Sequence, residues 1–312
     1  MDDAERVERR LKLRDLRVLM SVVETGSMGK AAQRLATSQP AISRSIADLE
    51  HALGVRLLDR SPRGIEPTPY GRALVARGLA VFDELGQGIK DIEFLADPTA
   101  GEVRVGASIA VAVGFVAAVV DRLCRDYAHL SFKVLATDSA AAYAALAERK
   151  VDLAILHIIG PAAEEHFDAE VLYHEPHVVA AGIKNPWTRR RGMKLADLIN
   201  EPWTLPPPET LFGSVVADAF RTNGLDLPRR VVTSSLPVRN ALLATGRFLT
   251  MVPRVVLEFP IRNPELKALP IDLPATRRPV GIITVKNRTV SPAAQLFMDC
   301  AREIAKPMMK TT

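Results

Sequence analysis

The chain has few of the residues that would place it in several common classes. Among its 312 residues there are only two cysteines, Cys124 and Cys300, far apart and in no Cys-x-x-Cys or Cys/His spacing. A structural zinc site is therefore not expected. No apolar run reaches the ~20 residues that a membrane helix needs. The most apolar stretch, Val105 to Val120, lies between Arg104 and Asp121 and is broken by Gly106, Ser108 and Gly114. The opening Met1-Asp2-Asp3-Ala4-Glu5 is acidic where a secretory leader is basic and then apolar, so a cytoplasmic location with no membrane partner is expected. There is no glycine-rich phosphate loop and no Gly-x-Ser-x-Gly elbow. His157, His166, His174 and His177 cluster in sequence without His-Glu-x-x-His spacing, and most of them are read as surface residues. No catalytic or metal-ligating residue is assigned, and no cofactor is expected.

What is present is a mildly basic chain of net charge +5, which fits a polyanionic partner, and a length that suits two or three domains. Leu13, Leu16, Leu19, Met20 and Val23 recur at helical spacing, and Thr25-Gly26 ends that helix. Ser27 is placed to cap a second helix carrying Ala31, Ala32 and Leu35, and Ser38 a third with Pro40 in its first turn. In the third helix Ile42, Ile46, Leu49 and Leu53 form one apolar stripe. Pro40, Ser43, Arg44 and Ala47 then point the other way, with Gln39 at the edge of that outer face. Its small and polar character suits insertion into a groove. Gly54 stops the helix. The turn Ser61-Pro62-Arg63-Gly64, between Leu57-Leu58 and Ile65-Glu66, predicts a basic two-stranded wing.

Thr68-Pro69 starts a helix running to about Ala96. Val75, Phe82, Ile89 and Ala96 are spaced by seven, with Leu85 and Ile92 between them, and Gly71 and Gly78 stand at the earlier positions. Such a stripe wants a partner helix, most simply the same helix of a second chain. Beyond Pro98 the pattern alternates strand and helix. A β-α-β-α-β set ends at Val151–Leu156, and a second set covers Trp203–Leu205 to Phe248–Val252. A last strand, 281–285, and a helix, 292–305, close the chain. This order predicts two α/β lobes with parallel strands and a ligand cleft at the strands' carboxyl ends. Arg189-Arg190-Arg191 reads as a solvated loop.

The ordered set Gly26-Ser27, Ala31-Ala32, Leu35, Ser38-Gln39-Pro40-Ala41-Ile42-Ser43, Leu49-Glu50, Leu53-Gly54, Leu57-Leu58, Arg60 and Thr68-Pro69-Tyr70-Gly71 resembles the N-terminal signature of LysR-type transcriptional regulators. More weakly, Gly101–Gly106 resembles the first strand of that family's sensing module, and Val151-Asp152-Leu153-Ala154-Ile155 its third. Ala244-Thr245-Gly246 with Pro253 resembles positions of its second lobe. The chain departs from the pattern at Met28, Gly29, Leu58 and Phe248. The resemblance implies an α/β protein with a winged helix-turn-helix over 1–68, a linker and dimerisation helix over 69–97, and a two-lobed effector-binding domain over 98–312. That domain would be like the type 2 periplasmic binding proteins, with lobe one at about 98–177 plus 283–312 and lobe two at about 178–282. It further implies a homodimer or homotetramer on promoter DNA, a small-molecule co-inducer, and contact with RNA polymerase.

Carried over position by position, the resemblance sets Gln39, Ser43 and Arg44 on base edges, beside Pro40. Ser27, Ser38, Arg60, Arg63 and Thr68 fall on phosphates. Ser108, Thr204 and Ser235, with Thr137 and Arg239, are the expected effector contacts, because hydroxyls and helix-start amides suit an anion. A cytoplasmic two-lobed solute-binding protein or enzyme with an accessory DNA-binding domain is the alternative, and a DNA-architectural protein without ligand a further one. A redox role for Cys124 with Cys300 stays open, although their spacing does not resemble that of the family's peroxide sensors.

Overall fold

The computed structural model describes residues 11–61, 64–158, 166–228, 230–259 and 263–309. They fall into two compact units, divided between Gly88 and Ile89. Arg63 lies outside the described residues.

The first unit opens with three helices, α1 (Leu13–Thr25), α2 (Met28–Arg34) and α3 (Gln39–Leu53). Gly26 and Gly54 end α1 and α3, while the hydroxyls of Ser27 and Ser38 accept from Lys30 N and Ala41 N at 3.5 and 3.4 Å. Leu19, Ile42, Ile46 and Leu49 meet in one core, with Ile46 fully covered. Burying a side chain of that size contributes about 1.5–3 kcal/mol. Ser45 donates to Asp15 at 2.7 Å and ties α3 to α1. A carboxylate oxygen of Glu50 accepts from Leu57 N at 2.7 Å and Leu58 N at 3.2 Å, which fixes the base of the wing. The wing is the antiparallel pair β1 (Leu58–Ser61) and β2 (Gly64–Pro67).

The long helix α4 (Pro69–Ala96) crosses this unit where it carries glycine. A Cβ on Gly71 would lie 2.0 Å from Leu57 O, and one on Gly78 3.0 Å from Met20 Sδ. The two glycines of the heptad pattern are thus docking points on the chain's own helix-turn-helix. Val75 packs on the same core, and the Arg17 guanidinium covers the Phe82 ring at 4.6 Å. These two expected seam residues face inward, and the exposed stripe is Val81, Leu85, Ile89, Ile92 and Leu95.

In the second unit β3 (Ala100–Ser108) leads through helical turns into α5 (Ala117–Asp126). Next come β4 (His129–Thr137), α6 (Ser139–Ala147) and β5 (Leu153–His157), then β6 (Phe167–Glu175) and β7 (His177–Gly182). Further on are β8 (Thr204–Leu205), α7 (Leu211–Thr222), β9 (Val231–Val232), α8 (Leu236–Ala244) and β10 (Leu249–Pro253). The chain continues as α9 (Val255–Glu258), β11 (Leu266–Ala268), β12 (Arg278–Val285) and α10 (Pro292–Met309). Lobe one is a five-stranded sheet in the order β4-β3-β5-β12-β6. The expected parallel pairing holds for β4, β3 and β5, but β12 runs antiparallel to β5 and β6. Lobe two has β10-β7-β11, antiparallel, and a parallel β8-β9 pair. Because β12 pairs along its whole length within lobe one, the return crossing falls before Arg278 rather than at 282. Val255 and Val256 of α9 also pack into the lobe-one core.

Asp152 anchors the base of lobe one. It is buried and accepts from Arg104 N at 2.8 Å and from the Arg104 guanidinium at 2.6 Å, with Lys90 Nζ at 3.2 Å and Arg288 Nη2 at 3.3 Å. Burial raises its pKa, but the Arg104 hydrogen bonds and the nearby cations outweigh that, and the carboxyl is held below its ordinary range. The family-like Val151-Asp152 pair thus has a structural role.

Candidate functional site

Two surfaces carry chemistry. The first is the outer face of α3, where Ser38, Gln39, Pro40 and Arg44 are exposed and Ser43 half-buried. Ser27 caps α2 a short distance away in sequence, and Arg60 is exposed on the wing strand β1. Thr68 is different. It is buried, and its hydroxyl donates to Arg56 O at 2.8 Å and accepts from Gly71 N at 3.1 Å. That side chain is committed to starting α4, which corrects its expected place among the phosphate contacts.

The second is a cavity of about 190 Å3 between the lobes. Ser108, Thr137 and His157 end β3, β4 and β5 and line it from lobe one. His177, Phe212, Ser234 and Arg239 line it from lobe two, and Arg278 at the start of β12. The walls between are apolar, with Ile158, Leu211, Val215 and Val256 among them. Of the five expected effector contacts, the structure brings Ser108, Thr137 and Arg239 together. Thr204 is fully buried in β8 and does not line the cavity, and the Ser235 hydroxyl caps α8 by accepting from Val238 N at 3.4 Å, one residue from the lining Ser234.

The cavity's polar atoms are poorly served by the fold itself. Ser108 Oγ, His157 Nε2, His177 Nε2 and both Nε and Nη1 of Arg239 are buried without a hydrogen-bond partner. Desolvation lowers the Arg239 pKa to about 10. Its Cζ lies 5.5 Å from the Phe212 ring centroid, and the His177 imidazole stacks on the same ring at 5.0 Å. His166 and His174 are exposed, but His157 and His177 are buried, so only two of the four lie at the surface where most were expected. Burial, with the Arg278 charge, depresses His157 to about 4. His177 falls to about 3 through burial, His157 and Arg278. The sequence signal for His177 was the all-buried strand it opens, Val178-Val179-Ala180-Ala181-Gly182.

The same residue lies at the crossing between lobes. His177 N donates to Thr276 Oγ1 and its Nδ1 lies 3.1 Å from Thr276 O, which binds the outgoing crossing segment to the returning one. Next to it Glu175 is buried, with one carboxylate oxygen accepting from Val255 N at 3.1 Å. Burial raises its pKa to about 7, against the pull of the Val255 and Arg254 amides. Cys124 is exposed and Cys300 buried, and both are free thiols.

Residues 13–72 match the bacterial regulatory helix-turn-helix family of lysR type, and residues 96–306 the LysR substrate binding domain. A relative, the HTH-type transcriptional regulator GbpR of Azospirillum brasilense, is 29% identical over 303 residues, covering 96% of this chain and 89% of its own length. Among solved structures, a full-length OxyR variant from Pseudomonas aeruginosa superposes with a TM-score of 0.68 at 22% identity, covering 95% of this chain and 97% of that one. Full-length CbnR complexed with its target DNA gives 0.56 at 24% identity, covering 95% and 100%. With both halves matched in order over nearly the whole length, the chain belongs to the LysR family of DNA-binding transcription regulators.

Proposed function

We propose that this chain recognises a specific promoter sequence with the outer face of α3 and reports on a small-molecule co-inducer held between the lobes of its substrate-binding domain. In this reading Gln39, Ser43 and Arg44 meet base edges in the major groove, beside Pro40. Arg and Gln offer two-pronged matches to guanine and adenine. Ser27, Ser38, Arg60 and Arg63 hold phosphates and set the register. Ser108, Thr137 and Arg239 bind the co-inducer, and the ligand leaves chemically unchanged. The chain acts in the cytoplasm and needs no cofactor.

The observation that carries the sensing half is Arg239. A buried guanidinium lacking an anion is strongly disfavoured, and a ligand anion reaching Nε and Nη1 relieves that cost. The exposed stripe Leu85, Ile89, Ile92 and Leu95 supports pairing of α4 with a second copy. Two such pairs make the tetramer, and a ligand-dependent change in how it holds DNA alters its contact with RNA polymerase.

The test is a gel shift on the intergenic DNA upstream of the protein's own gene. A discrete site bound at least ~1,000-fold more tightly than random duplex at equal salt supports the reading. Equal affinity for both contradicts it.

A further inference from the structure

Two lining groups of the cavity between the lobes specify the chemistry of its occupant. One is Arg239, a cation that only donates hydrogen bonds, with Nε and Nη1 buried and unpartnered. The other is His177. Its Nδ1 lies 3.1 Å from Thr276 O, a carbonyl that only accepts, so the ring proton sits on Nδ1. Deep burial keeps the ring neutral. Its Nε2, buried and unpartnered, is therefore a lone-pair acceptor and must be met by a donor. Arg239 and His177 both lie against Phe212, so one small molecule spans them.

We infer, on the reading that this cavity is the effector site, that its occupant is a small apolar monocarboxylic acid bearing at least one neutral hydroxyl, with the carboxylate on Arg239 and the hydroxyl donating to His177 Nε2. Three neighbouring classes fit worse. A dicarboxylate sets an anion against the Nε2 lone pair. An amino acid sets an ammonium among the charges of Arg239 and Arg278. The lining carboxylate of Asp138 is already accepting from Ala141 N at 2.9 Å at the start of α6. A sugar acid leaves hydroxyls unpaired against Ile158, Leu211, Val215 and Val256. Ser108 Oγ, which both donates and accepts, serves the second carboxylate oxygen or the hydroxyl.

The experiment is titration calorimetry on the full chain with two matched sets. One is meta- and para-hydroxybenzoate, benzoate, terephthalate and para-aminomethylbenzoate. The other is leucic acid, isocaproate and leucine. In at least one set the hydroxy acid should bind about tenfold more tightly than every analogue, and Arg239→Met should weaken it by more than about tenfold. Melting curves confirm that the variant is folded. If an analogue binds as well as or better than its hydroxy acid, and that binding is lost in Arg239→Met, the inferred class is wrong while the cavity remains the effector site. If no acid of either set binds, the inferred class falls; if binding is indifferent to Arg239→Met, the effector-site reading falls with it.

Discussion

The imidazole of His177 lies on the ring of Phe212, centroids 5.0 Å apart and planes inclined by 28°, while the Arg239 guanidinium carbon sits 5.5 Å from the centre of that same ring. A residue at the crossing between lobes, a cavity wall and an unpaired cation thus share one contact. His177 in turn bonds Thr276, where the two crossing segments meet.

Arg239→Met is expected to stabilise the ligand-free protein. The guanidinium is buried with Nε and Nη1 unpartnered, so an apolar side chain of similar length removes a desolvation cost. The gain should be about 1–4 kcal/mol, read as a raised midpoint in denaturant. A lowered midpoint would mean that the cation is satisfied within the fold.

Stability should depend on pH in two opposing ways. Glu175 has its pKa raised from 4.5 to about 7 in the fold. Its contribution is complete below about 4.5 and is lost as pH rises through about 7, on the order of 3 kcal/mol in all. His157 and His177 are depressed from 6.5 to about 4 and about 3, so theirs is complete above 6.5 and is lost as pH falls through those values. Glu175→Gln should remove the loss of stability between about pH 4.5 and 7 and leave the profile below about 4.5 unchanged. An unaltered profile between about 4.5 and 7 would show that Glu175 titrates normally in the fold.

Asp152→Ala should be severe. The carboxylate is buried and is the acceptor shared by Arg104, Arg288 and Lys90, and removing it takes that shared anion away from all three. The expected cost is about 3–5 kcal/mol in the substrate-binding domain, measured by chemical denaturation. A cost below ~1 kcal/mol would show that water already serves the cluster.

Placing a charge on the open stripe of α4 should break the oligomer. Ile92 is 69% exposed in the single chain, so little of its side chain is covered within it. Ile92→Glu should leave the melting of the monomer intact and shift the mass in light scattering downward, because the charge would be buried at the helix pair. An unchanged mass would place the interface elsewhere.

The helix-turn-helix was legible because each boundary has its own local signal. Ser27 and Ser38 cap, Gly26 and Gly54 stop, and Ile42, Ile46 and Leu49 mark one face. The three parallel strands of lobe one were legible for similar reasons. The strands β6 and β7 were not, because β6 carries four exposed residues in succession and Pro176 interrupts the run. Missing them hid His177, whose burial is set by Thr276, far along the chain. The seven-residue spacing of α4 marks its apolar positions, but spacing alone does not show that Val75 and Phe82 are used by the chain's own first unit. The hydroxyls of Thr68 and Thr204 suit polar contacts, and only tertiary packing shows that both residues are buried.

The central claim, that the outer face of α3 reads sequence, is tested most directly on Arg44. Its side chain is exposed on that face, so Arg44→Ala should not disturb the core. Binding of the variant should be measured by gel shift against the upstream site and against random duplex, over a range of salt. The account predicts a loss of about 1–3 kcal/mol on the upstream site with little change on random DNA and an unaltered salt slope. Equal losses on both, with a flatter salt slope, would make Arg44 a phosphate contact and contradict the assignment of this face to base reading.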